Sequence, residues 1–206
     1  MTAGRRFAGG RLIVATHNRG KLQEFAALLH GRGAELISAG DLGLPEPDET
    51  EDSFEGNARI KALAAMRATG LPALADDSGI EVEVLGGAPG VRTADWAMRP
   101  DGSRDFGMAM DRLHAALAAV GVAEPQRARF RCCLVLAWPD GHTEVADGRM
   151  DGLLVWPRRG IEGHGFDPMF QPDGHDRTFA EMPATEKNRI SHRAAAVAAL
   201  IARCFT

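Results

Sequence analysis

The stretch "LIVATHNRGKLQEF", residues 12–25, decides the start of the fold because its pattern changes from a buried strand to an amphipathic helix. The apolar run over 11–16 predicts a strand, and apolar residues at helical spacing after Gly20 predict a helix. Thr16, Asn18 and Lys21 lie between the two. A helix N-terminus favours anions, so this turn is a candidate phosphate site. An exposed polar turn remains the alternative.

The same alternation continues along the chain. We predict a strand over 34–39 and a helix over 53–70, with Ser53 as its cap and Gly70 as its stop. Residues 103–120 form another predicted helix, two long strands joined by "PDG" follow, and a last helix starts at Ser191. This order predicts an α/β fold with a mixed β-sheet.

Length and composition bound the class of protein. The 206 residues fit one domain over 11–206, and the first ten residues are expected to form a flexible tail. The net charge of −4 does not favour nucleic-acid binding. Three cysteines without metal-ligand spacing indicate free thiols in a reducing compartment. With no secretory signal or membrane-spanning stretch, we expect a cytoplasmic protein that binds no membrane.

"DDSG", residues 76–79, is a second candidate site. Two adjacent carboxylates at the expected end of a strand suit Mg²⁺, which prefers oxygen ligands, and one of them could accept a proton from water. The acidic loop over 41–52 could supply a further ligand. A turn with solvated acids is the alternative.

Two later stretches carry weaker signals. "GHGFDP", residues 163–168, combines glycines with Phe166, whose ring could offer a stacking face for a planar ligand. "EKNRISHR", residues 186–193, places His192 and Arg193 in the first turn of a helix. Cations oppose the helix dipole there, so this placement favours a functional role. A buried turn and a solvated helix start are the respective alternatives.

Taken in this order, the stretches resemble the inosine triphosphate pyrophosphatase family, the Ham1-like pyrophosphatases of noncanonical purine nucleotides. The matching pieces are "ATHNRGKLQEF", "SFEGNARIKA", "ADDSGIEVEVLGGAPGVRTADWA", "GHGFDPMF" and "EKNRISHRAAA". They cover nearly the whole chain, from residue 12 to about 204. Each is modest alone, but five in the order of the family form a specific signal.

The resemblance implies an elongated mixed sheet flanked by helices, with two lobes and an active-site cleft between them. It implies hydrolysis of ITP, dITP and XTP to the nucleoside monophosphate and pyrophosphate, which removes these nucleotides from the pool. It further implies a Mg²⁺ cofactor and a homodimer. The small-molecule partner would be the nucleoside triphosphate.

Residue roles follow from the matched motifs. Asp77 matches the proposed general base, and Asp77 with Glu49 matches the metal ligands, although Glu46 and Asp48 leave that register open. The resemblance implies that the nucleotide is bound by Thr16, His17, Asn18, Arg19, Gly20, Lys21, Lys61, Ser78, His164, Gly165, Phe166, Asp167, Lys187, His192 and Arg193. Asn57 falls on the same helix as Lys61, near the phosphates.

The match leaves some roles open. His164 stands where some members have Phe, so stacking on the base could fall to Phe166. A carboxylate bound to a metal is a poor base, so Asp76 or Glu49 could hold the metal while Asp77 faces the water. Donors from Lys187, His192 or Arg193 would satisfy the oxygen at C6 of hypoxanthine and reject the amino group of adenine.

Three other functions are weighed against this one. A Maf-like pyrophosphatase would give the same products from other bases, but the "SHR" segment argues against it. A module that senses nucleotides without cleaving them fits poorly with two adjacent acids. For a structural dimer subunit, the alternating Arg127, Arg129 and Arg131 are the only hint.

Overall fold

A computed structural model describes residues 4–123 and 125–205. Its sheet has six strands in the order β2-β1-β3-β4-β5-β6. The strands are β1 Gly10–Val14, β2 Ala34–Ser38, β3 Ala73–Val82, β4 Gln126–Ala137, β5 Thr143–Leu154 and β6 Phe170–Pro172. The helices are α1 Arg19–Leu28, α2 Phe54–Thr69, α3 Phe106–Val120, α4 Ala184–Ile190 and α5 His192–Cys204.

The sheet is mixed, which confirms the predicted fold class. β1 pairs in parallel with β2 and with β3, whereas β5 pairs with β6 in the antiparallel direction. The parallel part follows from helical connections between β1, β2 and β3, since parallel neighbours need a crossover.

Helix α2 begins and ends where the sequence predicts. The Ser53 side chain accepts a hydrogen bond from the Gly56 N–H at 3.0 Å, which satisfies one free donor of the first turn. Gly70 adopts a left-handed conformation with φ of 67°, which favours glycine after the last turn. Helix α1 ends at Leu28.

The prediction that a strand ends at the paired acids is wrong. β3 runs without a break from Ala73 to Val82 and contains the whole "DDSG" stretch. Its continuation carries the fully buried Ile80, whose backbone N–H donates to Thr93 Oγ1 at 3.0 Å. Apolar packing after Gly79 therefore outweighs the turn tendency of these residues. The short elements α4 and β6 were not predicted.

The residues pack as two compact units. Within the described residues, the first contains 4–77, Cys132–Gly148 and 193–205, and the second contains 78–123, 125–131 and Arg149–His192.

In the first unit, helices cover both faces of the sheet. Leu12, Val14 and Leu74 belong to a core cluster with residues of α1 and α5. Ile13 and Ala75 belong to a different cluster, with residues of α2. Since successive strand residues point to opposite faces, α2 packs on one face and α1 with α5 on the other.

The second unit has its own core around α3. The cluster contains Leu113 and Leu117 of the helix, Phe130 of β4, and Phe166 and Phe170 from the region of "GHGFDP".

The predicted flexible tail over 1–10 is corrected in its described part, residues 4–10. Phe7 is only 6% exposed and packs against Phe205, with ring centroids 5.3 Å apart. Its N–H donates to the Cys204 carbonyl at 2.6 Å. The single aromatic side chain of this polar segment packs in the core, which the hydrophobic pattern of the segment did not predict. Residues 1–3 lie outside the described residues.

Among the helices of the described residues, none combines the length and the apolar character that crossing a membrane would require.

Candidate active site

Strand alternation gives the paired acids of β3 different surroundings. Asp76 lies on the same face as Leu74, towards α1 and α5, and Asp77 lies on the same face as Ala75, towards α2. Both are buried, at 2% and 6% exposure.

Asp76 accepts hydrogen bonds from two cations. Lys21 Nζ and Arg193 Nη2 each lie 3.0 Å from one of its carboxylate oxygens. Arg193 also pairs with Glu24. Burial alone would raise the pKa of Asp76, but the two cations hold it well below its ordinary value. Asp76 is therefore a fixed negative charge at ordinary pH.

Asp77 is held by α2. Lys61 Nζ lies 3.4 Å from its Oδ1, and Asn57 Nδ2 donates to its Oδ2 at 3.4 Å. Burial raises the pKa of Asp77, the charge of Lys61 opposes this, and Glu49 supports it, so the net shift is upward. A carboxylate with a raised pKa is a better proton acceptor than an ordinary one.

Lys61 joins this acid to the acidic loop. Its Nζ lies 2.6 Å from Glu49 Oε1. Burial would lower the pKa of Lys61, but the carboxylates of Asp77, Asp76 and Glu49 raise it above its ordinary value. The lysine therefore remains charged in spite of its burial.

The turn before α1 is organised by its own side chains. Asn18 Oδ1 accepts from the backbone N–H groups of Gly20 and Lys21, at 2.8 and 3.2 Å, and so caps the helix. Thr16 Oγ1 accepts from the Asn18 N–H at 3.1 Å. The N–H groups of Gly20 and Lys21 were expected to face an anion, but both already donate to Asn18 Oδ1. The charge of Lys21 is then the main attraction that this turn offers to phosphate.

Glu49 and Asp77 are suitable donors for a magnesium ion. Both carboxylates contact the same ammonium group, so oxygen donors converge there on a positive charge. Mg²⁺ usually takes one or two carboxylates and completes its shell with water and phosphate oxygens. Within 4–123 and 125–205, no group of three or more Asp, Glu, His or Cys side chains is placed to hold a metal by itself. Asp76 is the weaker candidate ligand, because two cations already neutralise it.

The predicted base-binding residues other than Arg193 lie in the second unit. Asp167 is 1% exposed and accepts from Lys187 Nζ at 2.5 Å and from the His164 N–H at 2.6 Å. The expectation that Phe166 offers an open stacking face is wrong. Its ring is fully buried and packs edge-on against Phe106, with centroids 6.0 Å apart.

His192 and Arg193 of the "SHR" segment have different partners. The His192 ring stacks on Phe130 in the second unit, with centroids 4.8 Å apart and 14° between the planes. The Arg193 guanidinium instead pairs with the acids of the first unit described above. Arg193 was expected to bind the base together with Lys187 and His192. In the structure it is instead the partner of Asp76.

Other predicted residues lie on the surface. His17 is exposed, and its Nε2 donates to the Leu44 carbonyl at 2.7 Å. Arg19 and His164 are exposed, and Gly20, Gly165 and Ser78 are half-buried.

Comparison with known proteins identifies the family. The sequence model of the Ham1 family matches residues 12–203. This chain belongs to the Ham1 family. It is 60% identical over 201 residues to a dITP/XTP pyrophosphatase of Ruegeria pomeroyi, with 98% of each chain covered. A dITP/XTP pyrophosphatase of Rhodospirillum centenum is 54% identical over 205 residues, with 100% of each covered.

Solved structures of Ham1 proteins have the same fold. A HAM1 protein from Coxiella burnetii has a TM-score of 0.84 at 34% identity, covering 92% of this chain and 95% of the other. The Ham1 protein of Staphylococcus aureus has a TM-score of 0.78 at 30% identity, covering 94% and 97%.

Sequence reasoning missed one residue of this Ham1 site and undervalued another. Glu24 pairs with Arg193, and its position one helical turn after Lys21 was the available signal. Asn57 was placed near the phosphates, but its contact with the acidic loop has no signature in the sequence. Both are polar residues that contact a charged group of the site.

Proposed function

We propose that this Ham1 protein hydrolyses dITP, XTP and ITP to the nucleoside monophosphate and pyrophosphate. Two of its relatives, similar over nearly their whole length, are named dITP/XTP pyrophosphatases. The observation that carries the proposal is Asp77, a buried carboxyl with a raised pKa beside the charged Lys61. Such a pair suits attack of water on a phosphate group.

Charge neutralisation is the first requirement of the reaction. A triphosphate repels an attacking water unless cations offset its charge, and catalysis of phosphoryl transfer is mostly positioning and electrostatics. Lys21 and Lys61 are the proposed phosphate-binding cations. Asp76 and Arg193 keep Lys21 in place, since the buried Asp76 carboxylate is shared by both cations.

Asp77 is the proposed general base. It accepts a proton from water while the water oxygen forms a bond to the α-phosphorus. The bond from that phosphorus to the bridging oxygen breaks, and pyrophosphate leaves with the electron pair. The Asn57 amide and Lys61 orient the carboxyl through its two different oxygens.

Mg²⁺ is the proposed cofactor, held by Glu49 and Asp77. Because a carboxylate bound to a metal is a poor base, the base role of Asp77 requires that Glu49 carry most of the binding of the ion while an oxygen of Asp77 faces the water. When bound, the ion would supply Lewis-acid stabilisation of the charge on the phosphate oxygens. The chain itself sets the distance between the two carboxylates through Lys61, which contacts both.

Base selection is assigned to Lys187 and His192, together with Asp167. Lys187, whose Nζ pairs with Asp167, is the proposed donor to the oxygen at C6 of hypoxanthine or xanthine. Adenine has an amino group there, and a buried donor left unpaired costs about 1–3 kcal/mol.

We further propose that the protein acts in the cytoplasm as a homodimer, with no nucleic acid as partner. The net charge of −4 supports the last point, since nonspecific nucleic-acid binding relies on excess positive charge.

Product analysis tests the function. Purified protein is incubated with dITP, XTP, ITP, ATP, GTP and UTP in Mg²⁺, and products are resolved by ion-exchange chromatography. We expect monophosphate and pyrophosphate from the first three and little from ATP, GTP and UTP. Because guanine also carries an oxygen at C6, rejection of GTP requires exclusion of its 2-amino group. Release of diphosphate and orthophosphate, or equal rates with UTP, would contradict the proposal.

A further inference from the structure

Asn57 connects the acidic loop to Asp77 through one amide group. The side chain is 2% exposed and lies in the first turn of α2. Its Oδ1 accepts from the backbone N–H of Glu51 at 3.0 Å, and its Nδ2 donates to Asp77 Oδ2 at 3.4 Å. Both ends of one rigid planar group are therefore used.

Lys61 repeats this connection one helical turn later. Residues four apart share a helix face, so Asn57 and Lys61 point in the same direction. Lys61 joins Glu49 to the other oxygen of Asp77. The two contacts differ in kind, because Lys61 holds the loop by its charge whereas Asn57 holds its backbone.

Gly56 gives independent evidence that the loop sits tightly on α2. A Cβ atom at Gly56 would lie 2.5 Å from Glu51 Cβ and 2.7 Å from Glu51 Cγ. Any side chain there would push this part of the loop away. The close approach that Gly56 permits is what brings the Glu51 N–H within reach of the Asn57 amide.

We infer that Asn57 is a positioning residue that holds the acidic loop in register with Asp77, so that Glu49 and Asp77 face the same cation. This inference rests on the proposed function, in which these two carboxylates bind Mg²⁺. Groups that orient metal ligands typically change metal affinity or activity 10–100-fold when they are lost. Binding of the nucleotide itself is assigned to other residues.

Hydrogen exchange of the metal-free protein tests the contact directly. The Glu51 amide is expected to be protected in the wild type and to lose that protection in Asn57→Ala. Ser53→Ala is the matched control, since it removes the bond of the helix cap to the Gly56 N–H and leaves the Asn57 amide in place. Unchanged protection in Asn57→Ala would overturn the inference.

Activity as a function of Mg²⁺ tests the consequence. For Asn57→Ala we expect the half-maximal Mg²⁺ concentration to rise roughly 10–100-fold, with KM for dITP at saturating Mg²⁺ within about twofold of the wild type. Ser53→Ala should show the wild-type Mg²⁺ requirement. An equal effect in both variants would show a merely structural role and overturn the inference.

Gly56→Ala gives a second route if Asn57→Ala does not fold. Alanine favours a helix over glycine, which offsets part of the strain of its Cβ against Glu51 and Ser53, and the displaced loop should raise the Mg²⁺ requirement. A wild-type requirement in this variant contradicts the inference. Failure of the wild type to release pyrophosphate from dITP would instead refute the proposed function, and the exchange experiment would still test the contact.

Discussion

At the scale of single residues, two neighbouring carboxyl groups of β3 have opposite pKa shifts. Asp76 meets two cations, and its pKa falls, whereas Asp77 is dominated by burial, and its pKa rises. The difference comes from strand alternation, which gives each side chain a different set of helices. One acid is therefore suited to be a fixed charge, and the other to be the proton acceptor that we propose.

The exchange of Asp77 for asparagine tests this division. Asp77→Asn keeps the size of the side chain but removes the proton acceptor, so we expect kcat with dITP to fall about 10²–10⁴-fold. Binding of a non-hydrolysable dITP analogue, measured by calorimetry, should persist because Lys21 and Lys61 remain. Asp173→Asn makes the same exchange in a surface pair with Arg127 and should behave as the wild type. Near-normal turnover of Asp77→Asn would show that another group accepts the proton.

At the scale of elements, the sequence predicted those helices and strands whose bounds depend on local patterns. The bounds of α2 follow from Ser53 and Gly70, and the early strands follow from their apolar runs. The extent of β3 could not be predicted, because the partners that bury Asp76 and Asp77 come from α1, α2 and α5. Contacts between distant segments also explain the missed roles of Glu24 and Asn57, since their partners Arg193 and Asp77 lie far from them in the sequence.

The segment before β1 is also held by contacts with distant residues that local sequence does not predict, and it gives a second prediction. Phe7→Ala removes a buried ring from the core formed with α5 and Phe205, so the free energy of unfolding should fall by about 3–5 kcal/mol. Urea unfolding followed by circular dichroism measures this. Ile161→Ala is the control, because that side chain is 96% exposed and its loss should change stability by less than about 0.5 kcal/mol. A Phe7→Ala protein as stable as the wild type would support the original prediction that this segment is a flexible tail.

At the scale of the whole molecule, the buried charges make stability depend on pH. An aspartate in an unfolded chain titrates near pH 3.9. The folded pKa of Asp76 is lower, so below about pH 4 the unfolded state binds more protons and the free energy of unfolding falls. Asp77 has a raised pKa, so its contribution has the opposite sign and is lost as the pH rises above about 4.

Asp76→Asn separates these contributions. At pH 7 the variant should be less stable than the wild type, because Lys21 and the buried Arg193 then face a neutral amide. On acidification the wild type loses the contribution of its Asp76 carboxylate and the variant has none to lose, so the difference between them should narrow from pH 7 to pH 2. Urea unfolding at each pH measures this difference in the free energy of unfolding. EDTA is present to remove metal ions, and no salt is added that would screen the charges. Asp173→Asn, in an exposed pair, should stay near the wild type throughout. A gap that stays constant with pH would mean that Asp76 is not the buried anion that the two cations share.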